Sequence, residues 1–222
     1  MSKPKKNAAR ILIVDNHPAV REALAMRIDR QPDLRVCGEA ADVSDALQLV
    51  ASTRPDVAVV DISLRTGNGI DLIKRIKSRN EEIRILVWSM HSESLYAERA
   101  LRNGALGYIN KEEATEKIVA AIRSVLAGKI WLSDVMAQRL LKQNVGKNRA
   151  EATEPIVNSL ADRELEVFQL IGAGLKTSEI ADRLHLSVKT IDTYRDRIRH
   201  KLNLSDGAKL AQFAAQWILE NS

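Results

Sequence analysis

One cysteine among 222 residues excludes an internal disulfide framework. Cys37 ends the apolar run Leu34–Cys37, which predicts a buried, inert thiol. No stretch approaches the roughly 20 apolar residues of a membrane-spanning helix. The amino terminus, Met1–Arg10, is basic, but Asp15 and His17 interrupt the apolar run behind it. It is therefore a poor signal peptide, and residues 1–9 are expected to form a disordered basic tail. Internal repeats and low-complexity tracts are absent. His17 and His91 lie near strand ends, but neither has metal-ligand spacing with the other two histidines, which argues against a zinc site. Most of the chain also lacks an excess of one charge. The formal net charge is +5, yet residues 11–141 carry 18 basic and 18 acidic residues, and residues 158–222 carry nine of each. The excess lies mainly in the tail, so any case for DNA binding must rest on local clustering.

Short apolar runs that end in polar residues are what the chain does have. Ile11–Val14 leads to Asp15, Val57–Val60 to Asp61, Ile83–Trp88 to Ser89, and Leu106–Ile109 to Asn110 and Lys111. Runs of this length read as buried strands of a parallel sheet. Between them His17–Arg30, Val43–Thr53, Ile70–Arg79, Ser94–Asn103 and Glu113–Ala127 have helical spacing. This alternation predicts a doubly wound α/β domain, whose ligands bind outside the carboxyl ends of the strands. Taken singly, Asp15 or Ser89 could cap a helix and Lys111 could be a surface charge. Four coincident strand ends instead favour one shared site.

The chemistry of that set is phosphoryl acceptance. A strand-end aspartate can accept a phosphoryl group as a nucleophile. A divalent cation and an ammonium then offset the charge on the transferring group. Magnesium favours carboxylate, carbonyl and water ligands. Asp61 fits the acceptor and Asp15 a cation ligand, while Lys111 and Ser89 fit partners of the phosphoryl oxygens. A flavin on the same kind of sheet is the alternative. The chain lacks a hydroxyl- and glycine-rich loop after the first strand, and Asp15 would repel a flavin phosphate there.

The alternation ends near Gly128. Lys129–Leu132 is a short segment, Ser133–Leu141 reads as a helix, and Lys142–Val157 (KQNVGKNRAEATEPIV) reads as a polar linker. Helical patterns then cover about Asp162–Ala173, Thr177–Leu184, Val188–Leu202 and Asp206–Leu219. Two short helices in close succession, the later one basic, are the sequence form of a helix-turn-helix. On a helical wheel Val188, Ile191, Ile198 and Leu202 share one face, with Tyr194 beside them. Lys189, Thr193, Asp196, Arg197 and His200 share the opposite face. Ser187 is the expected N-cap. Ser187–Leu202 holds five basic and two acidic residues. A helix of that length, roughly 22 Å, fits a major groove. Lys189 and Thr193 could reach base edges, and Asp196 could accept from cytosine N4 or pair with a neighbouring arginine.

The order of these motifs resembles a known family over nearly the whole chain. Residues 11–18 (ILIVDNHP), 59–64 (VVDISL) with Gly69, 88–91 (WSMH) and 104–111 (GALGYINK) resemble a bacterial receiver domain. Residues 162–167 (DRELEV), 179–181 (EIA), 186–191 (LSVKTI) and 201–204 (KLNL) resemble a LuxR-type helix-turn-helix. Together they resemble a NarL/FixJ-type response regulator. The resemblance implies a flavodoxin-like receiver over 10–128, with five parallel strands in the order 2-1-3-4-5. A connecting helix and linker over 129–157 would follow, then an all-α four-helix DNA-binding domain over 158–222. It implies a cytoplasmic transcription regulator rather than an enzyme. Asp61 would accept a phosphoryl group from a sensor histidine kinase, with Mg2+ held by Asp15, Asn16, Asp61 and Ser63. Ser89, Tyr108 and Lys111 would bind the phosphate and switch the domain. Lys189, Thr190, Thr193, Asp196, Arg197, His200 and Lys201 would meet double-stranded DNA, with a homodimer formed through Asp206–Leu219.

Three departures from the family pattern stand out. Asn16 replaces the second of two acidic residues, which lowers the charge available to the cation. Arg65 stands where proline is frequent. Ala161 replaces a threonine cap, so Ser159 or Asp162 would have to take that role. Asn16 also motivates a competing reading, in which the receiver is a phosphorylation-independent dimerisation or protein-contact module.

Overall fold

A computed structural model describes residues 8–113, 116–145 and 156–221. They fall into two compact units divided between Val145 and Gly146. The tail residues 1–7 and the linker residues 146–155 lie outside the described residues.

The first unit is a five-stranded sheet in the order β2-β1-β3-β4-β5. Its strands are β1 (Ala9–Val14), β2 (Leu34–Ala40), β3 (Val57–Val60), β4 (Arg84–Ser89) and β5 (Gly107–Asn110). Every neighbouring pair is parallel. Five helices cross between or follow the strands: α1 (Pro18–Asp29), α2 (Val43–Thr53), α3 (Gly69–Arg79), α4 (Glu93–Arg102) and α5 (Glu116–Leu126). The strands are apolar because both faces are covered. Ile11, Ile13, Val57, Val59, Leu86, Trp88 and Ile109 pack with Leu24 and Ile28 of α1 and Ile118, Ile122 and Val125 of α5. The alternate residues Leu12, Val14, Ala58, Val60, Ile85 and Val87 point to the other face and are equally buried. All polar strand-end residues are thereby delivered to one edge of the sheet.

Several details differ from the sequence expectations. β1 begins at Ala9, which pairs with Leu34, so the edge of the expected tail is strand. The β1–β2 register shifts between Ile11 and Leu12, whose partners are Val36 and Gly38. Cys37 is the extra residue of that bulge. Its thiol is half-buried rather than buried, and donates to Thr53 Oγ1 at 3.4 Å. Helix α5 starts at Glu116, and Glu113 is not helical. Trp131 forms a parallel bridge to Gly107. Its carbonyl accepts from Tyr108 N at 2.9 Å, so the segment Lys129–Leu132 covers the β5 edge. Helix α6 (Asp134–Val145) runs four residues into the expected linker. Ser133 Oγ caps it through Met136 N, and Glu93 Oε1 of α4 accepts from Ser133 N at 2.9 Å.

The second unit is helical: a 3₁₀ turn (Ile156–Ser159), α7 (Asp162–Gly172), α8 (Thr177–Leu184), α9 (Val188–Lys201) and α10 (Gly207–Asn221). The turn includes Ile156 and Val157, the end of the expected linker. Phe168 of α7 meets Phe213 and Trp217 of α10, with ring centres 6.0 and 5.7 Å apart. Gly172 lets the two helices touch, since a Cβ there would lie 2.6 Å from Ala214 O. Ala161 offers no side-chain cap to α7, and Ser159 does not supply one. The Ser159 hydroxyl donates to Ile156 O, and Glu164 Oε2 accepts from Ala161 N at 2.8 Å. Among the described residues no helix is long and apolar enough to cross a membrane.

Candidate functional site

Parallel pairing of β1, β3, β4 and β5 brings Asp15, Asp61, Ser89 and Lys111 to one pocket. Lys111 Nζ donates to Asp15 Oδ2 at 2.5 Å and to Asp61 Oδ2 at 2.7 Å. Ser89 Oγ donates to Asp61 Oδ1 at 2.6 Å. The Lys111 side chain is only 7% exposed and that of Asp61 4%, so the ions face each other with little solvent between them. Trp88 lies beneath the ammonium, with its ring centre 5.4 Å from Nζ. Asp15 is held in place by its neighbours: its Oδ1 accepts from His17 N at 2.8 Å, and its carbonyl accepts from Arg21 Nη1 at 2.6 Å.

The loop after β3 presents Asp61. Gly69 N donates to Ile62 O at 2.8 Å, and Asn68 Oδ1 caps α3 by accepting from Ile70 N. A Cβ on Gly69 would lie 2.1 Å from Asp61 O, so only glycine lets α3 start this close to Asp61. Arg65 has a structural reason to replace proline. Its N–H donates to Ala41 O at 3.1 Å, a bond that proline cannot make.

Tyr108 is fully buried, and its hydroxyl donates to His91 O at 2.8 Å. Burial pushes its phenol well above the ordinary value of 10.0, and the Asp61 charge adds to that; a Ser89 hydrogen bond opposes it. Sequence reasoning placed His91 near the site but gave it no role. Its Nε2 meets Ser63 Oγ at 2.8 Å, so it joins the loops after β3 and β4, and its ring lies tilted against Tyr96 with centres 4.9 Å apart. Such a cross-loop bond leaves no spacing signal in a sequence.

The donors suit a hard divalent cation. Asp15 and Asp61 offer carboxylates, and Asn16 Oδ1 is a buried oxygen without a hydrogen-bond partner. Leaving such an atom unsatisfied costs about 1–3 kcal/mol, and a cation would satisfy it. Ser63 lies two residues beyond Asp61 on the same loop.

In the second unit α9 is held by Ile191, Ile198 and Leu202, which are buried. Val188 is 48% exposed instead of packed, because it is the first residue of the helix and precedes the first full turn on the core. Ser187 Oγ accepts from Thr190 N at 3.1 Å, as an N-cap. Lys189, Thr193, Asp196, Arg197 and His200 are exposed and Thr190 partly so. Thr193 Oγ1 donates to Lys189 O at 2.9 Å, and Asp196 pairs with Arg199 at 3.2 Å. Lys201 is at the end of this surface but donates to buried Glu164 at 2.6 Å, and its side chain is 39% exposed. It therefore ties α9 to α7.

A buried strand-end aspartate paired with a lysine and a hydroxyl, on a sheet of this order, defines a receiver-type regulatory domain, here joined to a helix-turn-helix. Residues 11–123 match the response regulator receiver domain family, and residues 158–214 match the bacterial regulatory proteins of the luxR family. The oxygen regulatory protein NreC of Staphylococcus carnosus is 34% identical over 209 residues, covering 92% of this chain and 96% of that protein. A LuxR-family two-component response regulator from Aurantimonas sp. SI85-9A1 is 37% identical, with a TM-score of 0.58, over 63% of this chain and 99% of that one. RcsB of Salmonella enterica serovar Typhimurium, solved on the promoter rprA with the phosphomimetic BeF3−, is 24% identical with a TM-score of 0.62. It covers 94% of this chain and 99% of that one, and shares the fold. The chain belongs to the LuxR family of response regulators, DNA-binding transcription regulators rather than enzymes.

Proposed function

We propose that a sensor histidine kinase phosphorylates Asp61, and that the phosphorylated protein binds double-stranded DNA as a homodimer to control transcription. The observation that carries this reading is the pairing of both Asp61 oxygens, one with Lys111 and one with Ser89. An Asp61 oxygen attacks the phosphorus of a phosphohistidine. The new O–P bond forms as the P–N bond breaks, and the departing imidazole takes up a proton. Lys111 then pairs with a phosphoryl oxygen, and Ser89 follows another with its hydroxyl. A divalent ion, magnesium in the family reading, held by Asp15, Asn16, Asp61 and Ser63 would supply the remaining positive charge. Movement of Ser89 is passed to Tyr108, which hydrogen-bonds the loop carrying His91.

On the DNA side Lys189, Thr190, Thr193, Asp196, Arg197 and His200 meet bases and phosphates, and Lys201 stands at the margin of that surface. NreC is an oxygen regulator and RcsB was solved on promoter DNA, which supports the assignment by likeness. Incubation with a small phosphodonor and magnesium, followed by intact-mass measurement, is the test. Wild type gains one phosphoryl group and Asp61→Asn gains none; equal labelling contradicts the assignment of the acceptor.

A further inference from the structure

His17 stands where it can supply a nitrogen donor to the same pocket. Ligand atoms of Asp15, His17 and Asp61 all lie within 4.8 Å of one another. His17 Nδ1 is 3.4 Å from Asp15 Oδ1. Two donors about 2.1 Å from one first-row ion lie about 3.0 Å apart at a right angle and about 3.4 Å apart at the tetrahedral angle. The pair is therefore already spaced as co-ligands. The imidazole, 62% exposed, can still adjust. Lys111 occupies Asp15 Oδ2, the opposite oxygen, and Oδ1 accepts one bond from His17 N, so an ion would use the remaining lone pair of Oδ1 without displacing the ammonium.

The neighbouring residue gives an independent reason for a cation here. Asn16 Oδ1 is buried with no partner, as noted above, and Asn16 replaces an acid in the family pattern. The pocket is thus one negative charge short for a hard ion. An imidazole adds no charge, but it binds borderline ions such as iron(II), cobalt(II), nickel(II) and zinc far better than magnesium.

We propose that His17 is a cation ligand, and that it tilts this pocket from magnesium toward a borderline first-row divalent ion. The proposal rests on the reading of the Asp61 pocket as a cation-assisted acceptor site. Cobalt(II) serves as the nitrogen-preferring probe and magnesium as the oxygen-only reference, each titrated calorimetrically into the full-length protein. His17→Ala is expected to weaken cobalt binding about tenfold or more and leave magnesium binding within about twofold. The cobalt protein is expected to show a contact-shifted imidazole N–H resonance that His17→Ala removes. His17 is exposed, so that variant retains the fold. Unchanged cobalt affinity in His17→Ala overturns the ligand role while leaving the acceptor reading intact. Identical binding of both ions to wild type and Asp61→Asn removes the cation from the acceptor reading on which the proposal rests, and so overturns the proposal by a different result from that of His17→Ala.

Discussion

Lys111 is an ammonium almost without solvent, and its environment decides what each substitution in the pocket does. Removing it leaves Asp15 and Asp61 facing each other without the ammonium between them. Lys111→Ala is expected to lose about 3 kcal/mol in urea denaturation with chelator present. A divalent salt should restore part of that loss, since the ion binds the native state. A loss that salt does not touch contradicts the shared pocket. Tyr108 gives a second residue-scale expectation. Its phenol titrates well above 10.0 in the folded state, because burial and then the Asp61 charge oppose its ionisation. Between pH 10.0 and that higher pH the native state holds a proton that the unfolded chain has released, so stability falls as pH rises. Tyr108→Phe loses the bond to His91 O, costing about 1 kcal/mol at neutral pH. The gap between the two proteins should narrow above pH 10; a constant gap would contradict the buried-phenol account.

Among the elements, the strands were the most legible in the sequence, because burial on both faces demands unbroken apolar runs such as Val57–Val60. The polar residues that end them were legible for the same reason. The bulge at Cys37 was not, since register depends on the partner strand. Nor was the length of α6, whose anchorage is a tertiary bond donated by Ser133 N to Glu93 and another by Arg139 to Ser94 O. Val188 fits the apolar wheel, yet its place at the first turn exposes it. The Lys201–Glu164 pair was hidden because it joins residues of α9 and α7 that are far apart in the chain. Two expectations belong at this scale. Glu93→Ala should loosen α6, seen as faster amide exchange in 134–142 with little change in β3. Gly69→Ala should displace the acceptor loop, because the new Cβ meets the Asp61 carbonyl at 2.1 Å. Phosphoryl labelling should then fall sharply although Asp61 itself is intact.

At the scale of the whole molecule, two units with separate cores share one chain. Nearly balanced charge outside the tail means that DNA affinity must come from the local excess on α9. Arg197→Ala should lower the salt slope of DNA binding by about 1. Lys201→Ala should act first on the stability of the helical unit, because it leaves buried Glu164 without its cation. The central claim is that charge added at Asp61 changes how the protein meets DNA. The direct measurement is fluorescence anisotropy on a DNA fragment retained by the protein from its genome, with and without BeF3− and a divalent ion. Wild type is expected to bind more tightly with BeF3−, and Asp61→Asn to show no change. Equal affinity of wild type in both conditions contradicts the claim and leaves the receiver as a phosphorylation-independent contact module.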